Sequence, residues 1–517
     1  MPKSPPTRQD LPVNHLLSGL AANPALPPDL VDHLIAHADD DLADDLATRP
    51  DLTHPQALAL LSRVPDSAVR LAHEGRLTAT DIDPVTHPDA ALALLDNRAG
   101  TPEWARLFAA DPSVERRKCL AACPGLPADV VTTLALDAEV RVVAELALWA
   151  APDVTAELAG HPHAEVRRAV ALNEATPADV LTALLTGEGL PPALRCLVCD
   201  QEDTPFVHDR NCPRPDCDLP PDAACDGTHE STVHAVRLAA LANPATPAAA
   251  LAPFATHPST LLRRALAARP DLPADSCEQL ATDPVPGIRA DLAANPATGE
   301  SLIRSLADDP SHDIRRGLAH HPHIPLDVLI HLAATTKLSD GPLPRLTTAT
   351  PTEVKQLARS PHPAARMLVA RLPHLPATIR DALANDPDAR VTKSLAPQPG
   401  LNEAQLRSIL NRHGSQAAAK LAANPGAPPA LLEELARHDP PAKKALGEIA
   451  RHPHATPPAL LACLTDRRAR ITAAGHPTLP PPVIVGLLTD PDGEVVEAAA
   501  ANPSLPAATM AAILVGG

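Results

Sequence analysis

Tyrosine is absent from this 517-residue sequence, which has only three phenylalanines and two tryptophans. An aromatic fraction of 1% excludes a core built around large rings and leaves Leu, Val, Ile and Ala to fill it. It also removes the platforms on which single-stranded nucleic acids stack. Positive charge is in short supply as well. The 44 Lys and Arg stand against 62 Asp and Glu, a formal net charge of -18, the reverse of the basic footprint of a nucleic-acid binder. No run of about eighteen apolar residues exists, so no membrane-spanning helix is expected. The opening MPKSPPTRQDLPVNHLL has no apolar core of signal-peptide length, and the expected location is the cytoplasm. Walker-type loop, nucleophile elbow, H-E-x-x-H and dinucleotide fingerprint are all missing, which predicts a protein that is not an enzyme.

Proline, by contrast, is plentiful: 63 residues, about twice the usual frequency. The prolines are periodic, which argues against disorder. Val236, Leu262, Ile288 and Ile314 fall 26 residues apart; an arginine follows each, at Arg237, Arg263, Arg289 and Arg315, and a proline seven residues later, at Pro244, Pro270, Pro296 and Pro322. A repeat of this length is the mark of a solenoid.

The unit can be read from LPADSCEQLATDPVPGIRADLAANP, residues 272–296. Pro273 opens a first helix where a missing N–H costs nothing, and Asp275 places negative charge in its first turn. Leu251, Cys277, Ile303 and Leu329 share one position of this helix; Phe254, Leu280, Leu306 and Leu332 share another three residues on, giving one apolar face. Asp-Pro, at Asp283-Pro284 and Asp309-Pro310, ends the helix because the residue before proline is pushed out of helical geometry. A second helix with Ile288 and Leu292 follows and stops before proline at Asn295-Pro296. Helices of about ten residues are marginal alone, so each pair must stack on its neighbours.

The pattern V/I-R-x-x-L-A-x-N-P-x-x-P resembles the leucine-rich repeat variant family and, more broadly, HEAT-type helical repeats. The resemblance implies an all-α, right-handed α-solenoid of about 26-residue two-helix repeats. Asp283 and Arg289, Asp309 and Arg315 are each six apart, similar to the Asp and Arg ladder that joins neighbouring HEAT repeats, with Arg237 and Arg263 at the same arginine position. His161 and His257 take the aspartate position in two units, and Val496 stands six after Asp490 where an arginine is expected, so the ladder is incomplete.

In chain order, residues 1–10 are a polar tail, 11–189 an N-terminal set of helical repeats, 190–232 a Cys-rich insertion and 233–334 the regular repeats. Residues 335–352 are a degenerate repeat or linker, and 353–517 are C-terminal repeats whose last unit, 506–517, caps the stack or is incomplete. Trp104 and Trp149 are read as packing residues. Cys119 and Cys123, four apart, are read as structural, with Cys123 at the position of Asn295. The histidines before prolines, His161, His321, His452 and His476, are read as turn residues with local hydrogen bonds.

The insertion carries the chemistry. About 44 residues are inserted in the loop between the first helix at 177–184 and a second helix near Val236, and five of the nine cysteines lie among them. Cys196 and Cys199 form C-x-x-C; Cys212 and Cys217 follow, then Cys225, with His208 and His229 alongside. Two thiolate pairs across a short loop match a tetrahedral zinc site, and the insert has too little apolar mass to hold without such a staple. Cys196, Cys199, Cys212 and Cys217 are the expected ligands, with Cys225, His229 and His208 as alternates. An iron–sulfur cluster is the alternative cofactor, because Cys225-Asp226-Gly227-Thr228-His229 resembles the closing motif of CDGSH-type iron–sulfur proteins. That family's upstream C-x-C pair is replaced here by Cys212 and Cys217. The leucine-rich repeat variant resemblance also implies that a cysteine-rich cluster domain can accompany such repeats.

The expected function is a protein-interaction scaffold that holds a protein or peptide partner on a concave face. The alternative is an iron–sulfur or metal-sensing regulator. DNA recognition, known from HEAT-like alkylation-repair proteins, is disfavoured by the acidic charge.

Overall fold

The computed structural model describes residues 11–196, 230–338, 343–438 and 442–516. Among them the chain is helical, and the only extended pairing is a single bridge between His163 and Arg195. Short helices alternate in pairs as the proline spacing predicts. First helices begin directly after Pro127, Pro177, Pro273 and Pro325. Two second helices open on serine caps: Ser259 Oγ accepts the Leu262 N–H at 3.3 Å and Ser113 Oγ the Arg116 N–H at 3.4 Å, which satisfies donors the helix start would otherwise orphan. The two apolar positions of the first helix are both buried, from Leu251, Cys277, Ile303 and Leu329 to Phe254, Leu280, Leu306 and Leu332.

The chain falls into two compact units: Ala91–Thr348 is one, and Met1–Ala90 together with Ala349–Gly517 is the other. In the unit of residues 91–348 the second helices Val114–Ala122, Val140–Trp149, Ala164–Leu172, Glu230–Ala242, Thr260–Ala267, Pro286–Ala294 and His312–Leu318 stack in succession. Ala164–Leu172 and Glu230–Ala242 are direct neighbours although the insertion separates them in sequence. The latter helix starts six residues before Val236. Residues 343–347 form a short helical turn, Pro344–Thr347, that buries Leu343 and Leu346.

Stacking is fastened by polar groups at two fixed positions. At the first, Asn295 Nδ2 donates to the carbonyls of Ala267 and Arg269, both at 2.6 Å, while its Oδ1 accepts the Ala297 N–H at 2.8 Å. One side chain thus shapes its own turn and pins the end of the preceding second helix. Asn173, Asn243, Asn424 and Asn502 repeat the arrangement, and all are buried. Arg269 does the same work with a longer side chain: Nη1 donates to Leu241 and Asn243 carbonyls at 2.7 and 2.5 Å, and Asp271 holds the guanidinium from two residues on. Histidine is the third solution. His321 Nε2 donates to the Asn295 carbonyl at 2.7 Å and Nδ1 accepts the His323 N–H at 3.1 Å. His452 and His476 are built alike.

The second position is the ladder. Arg263 reaches Asp283 at 2.7 Å and Arg289 reaches Asp309 at 2.8 Å, each 20 residues on and therefore in the next repeat. Arg117–Asp137, Arg366–Asp386 and Arg470–Asp490 repeat the pair. At Arg117, Arg263, Arg289 and Arg366 the residue six before the arginine, whatever its type, contributes its carbonyl: Arg289 Nη1 donates to the Asp283 carbonyl at 2.7 Å and Arg366 Nη1 to the Ser360 carbonyl at 2.8 Å. Arg315 has Thr335 at the position 20 residues on and bonds Thr336 Oγ1 at 3.3 Å. Arg237 has His257 at the position 20 residues on, and His257 Nδ1 accepts the Ser259 N–H at 3.0 Å, so histidine supplies the turn bond of aspartate without its charge.

Candidate functional site

Two places combine unusual chemistry with exposure, and both lie in the unit of residues 91–348. The first is the face of three successive second helices, Val114–Ala122, Val140–Trp149 and Ala164–Leu172. Helical spacing puts one long polar residue per turn on this face, and the gaps between helices form a groove of about 420 Å³ lined by Lys118, Arg141, Glu145, Leu148, Glu165 and Arg168. Arg168 is held bidentately by Glu165 at 2.6–3.2 Å, and that hydrogen bonding raises its pKa above the ordinary arginine range. Three cations and two carboxylates leave a local excess of positive charge on a chain that is strongly acidic overall.

Trp149 corrects the expectation made for it. Its side chain is not a packing residue: it is 66% exposed, with Nε1 donating to Glu145 at 3.1 Å. The equivalent residue of the next repeat, Leu172, is 42% exposed. Both sit one residue before the turn position filled by Ala150 and Asn173. The helix interior is occupied by smaller residues, so the largest side chain of the helix is left at its rim. Trp104 is half-buried. Sequence reading missed the exposure because a tryptophan at a helix end follows the same spacing whether it faces a neighbour or water.

The second place is the root of the insertion. Leu194 N–H donates to the Pro162 carbonyl at 2.8 Å and Ala164 N–H to the Arg195 carbonyl at 2.9 Å. These bonds fasten residues 194–195 across the start of helix Ala164–Leu172. Arg167, at the ladder position, finds the Pro191 carbonyl at 2.7 Å and the His161 carbonyl at 2.6 Å in place of an aspartate. Burial pushes its pKa below the usual arginine value. Cys196 follows at once and is fully buried. Cys199, Cys212, Cys217, Cys225, His208 and His229 lie outside the described residues. Among the described residues no cluster of three His, Cys, Asp or Glu could hold a metal ion.

Of the cysteines outside the insertion, Cys123, Cys277 and Cys463 are buried core thiols and Cys119 is exposed. Cys123 takes the asparagine position, with Sγ 3.9 Å from the Leu92 carbonyl, and burial pushes its pKa up to about 12. Burial likewise raises Cys463 to about 12. A thiol held protonated at neutral pH is a poor nucleophile and a poor metal ligand. No helix among the described residues is long and apolar enough to cross a membrane.

No protein-family model matches this sequence, and neither does any curated protein. Among solved structures, a chain of the Pds5–Scc1 complex is similar at 13% identity, over 93% of this chain and 85% of that chain. The TM-score is 0.20, at which two backbones do not superpose as a whole.

Proposed function

We propose that this chain is a non-enzymatic protein-interaction scaffold whose second helices line a concave face and receive an extended segment of a partner protein. The observation that carries the reading is the pairing of exposed Trp149 and Leu172 with the groove of Lys118, Arg141 and Arg168. Tryptophan and arginine dominate the energetics of protein interfaces, and an exposed apolar rim beside polar groups marks such a site. The charge excess selects a segment carrying carboxylates around one apolar side chain. Nucleic acid fits poorly, since the overall charge of -18 opposes phosphate.

The test is direct binding of short synthetic peptides, followed by titration calorimetry. Peptides with Asp or Glu flanking a leucine are expected to bind, and both Trp149→Ala and Arg141→Glu to weaken them by about tenfold or more. Equal binding of lysine-flanked peptides, or indifference to both substitutions, would overturn the site. Trp149 is largely in water, so its replacement should leave the melting temperature unchanged.

The insertion is read as a rigid zinc-stabilised protrusion beside this face, with Cys196, Cys199, Cys212 and Cys217 as ligands. Support comes from the paired thiol spacing and from the fastened root that would aim the module. Thiolate zinc is closed to substrate, which agrees with a structural role. The Cys225 to His229 motif supports an iron–sulfur cluster as the second reading. Elemental analysis of anaerobically purified protein should find about one zinc per chain, lost in a Cys199→Ser/Cys212→Ser variant. Iron with visible absorbance favours the cluster, and absence of both metals sinks either reading.

A further inference from the structure

Within the unit formed by residues 1–90 and 349–517, the two chain segments meet as though they were consecutive repeats. Helix Leu11–Ala22 packs along helix Gly493–Ala500, and helix Pro28–His37 packs against Ala507–Gly516. Asn23 Nδ2 donates to the carbonyls of Ala500 and Asn502 at 2.7 and 2.8 Å, while its Oδ1 accepts the Ala25 N–H at 2.8 Å. This is the bonding that Asn502 itself makes to Ala474 and His476 one repeat earlier. His15 Nδ1 lies 2.7 Å from Glu497 Oε2, and His33 Nε2 lies 3.1 Å from the Leu514 carbonyl. Gly19 allows the close approach: a Cβ there would collide with the Glu497 carbonyl and lie 2.7 Å from Ala500 Cβ. Leu20, Ala21, Leu34, Val495, Ala499 and Ala500 are buried.

Sequence distance sets this seam apart: no short loop links the stacked repeats, which are 477 residues apart at Asn23 and Ala500. Leu17 and Val496 stand at the ladder-arginine position seven residues before Pro24 and Pro503, as Thr392, Ala418 and Leu446 do before Pro399, Pro425 and Pro453. The seam therefore has the register and apolar complementarity of a repeat joint without its short tether.

We propose that the seam is exchangeable, so that the surface of residues 493–516 can accept the N-terminal repeat of a second copy of this chain in place of its own. The surface is complementary to that repeat wherever the repeat comes from. Only effective concentration favours the internal copy, an advantage that a rising concentration of the second copy offsets. The result is an equilibrium between a self-closed monomer and a head-to-tail associated form, an exchange of an identical element between protomers.

Complementary variants of the full chain test this. Gly19→Val spoils the donor repeat and leaves the acceptor intact; Ala500→Leu spoils the acceptor and leaves the donor intact. Each alone should keep its helicity yet lose hydrogen-exchange protection at 11–37. Mixed at micromolar concentration they should form a one-to-one heterodimer by native mass spectrometry, and protection at 11–37 should return in the Ala500→Leu copy. Two helical variants that stay monomeric when mixed would overturn the proposal, as would full protection in either variant alone. Should a variant fail to fold, the unmodified chain decides. Light and isotope-heavy copies held together in mild urea and diluted out must yield a mixed dimer, and only unmixed monomers at every concentration would refute exchange.

Discussion

Replacing Asn295 by alanine is expected to cost about 3 kcal/mol in the stability of the repeats around it. The side chain is 3% exposed and makes three hydrogen bonds, two to carbonyls of the preceding repeat and one to its own turn. Alanine leaves these buried groups without their partner, and each unsatisfied group costs about 1–3 kcal/mol. The loss should be local, since a stacked repeat contacts only its neighbours. Hydrogen exchange over 260–306 reads it directly. Asn295→His gives a sharper version, because His321 and His452 already perform this task. At about pH 8 histidine should recover roughly half of the loss, one donor and one acceptor being retained.

That rescue must fade in acid, as must the support given by the native histidines. In His321 and His476, Nδ1 accepts a backbone N–H, so the ring works only when neutral. Burial lowers both pKa values beneath the ordinary 6.5. The unfolded chain therefore takes up protons first. Stability is full above about 6.5, declines as the pH falls towards the depressed folded value, and is fully lost below that value. Asn295 itself does not titrate, so a stability profile in which the Asn295→His chain shows no steeper acid decline than the parent would refute this account.

Asp309→Ala is the second large effect, also about 3 kcal/mol. The carboxylate is 7% exposed, pairs with Arg289 at 2.8 Å and accepts the Ser311 N–H at 2.8 Å. Breaking a buried pair from one side costs about 3–5 kcal/mol because the remaining charge loses its partner. The lower end applies here, since Arg289 keeps the Asp283 carbonyl. Burial works against the ionised form of Asp309, but hydrogen bonds from Arg289 and Ser311 outweigh it and leave the pKa below 3.8. This contribution is complete above about 3.8 and disappears as the pH falls through the lower folded value. Asp309→Asn should lose less than alanine by keeping the turn bond. A double-mutant cycle with Arg289→Ala that showed no coupling would remove the ion pair as the cause.

Much of the architecture was legible in the sequence. The 26-residue recurrence of Val236, Leu262, Ile288 and Ile314 determines two helices per unit, because an apolar face at helical spacing must be buried and Asp-Pro or Asn-Pro must end each helix. The same spacing placed Arg289 near an aspartate, yet not which one: within a repeat Asp283 offers its carbonyl, and the carboxylate comes from Asp309 in the next. Asn295 read as punctuation, since its bonds reach carbonyls 26 and 28 residues back that no local pattern reveals. The outward turn of Trp149 depended on which neighbours already filled the space beneath it.

What only the tertiary structure decided is the partnership of repeats far apart in sequence. Helix Ala164–Leu172 stacks on Glu230–Ala242 across the insertion, and Leu11–Ala22 on Gly493–Ala500, and neither pairing follows from adjacency in sequence. Local periodicity determines what a repeat can pair with, because its faces are set by its own residues. Which copy of that face it meets is a property of the folded stack.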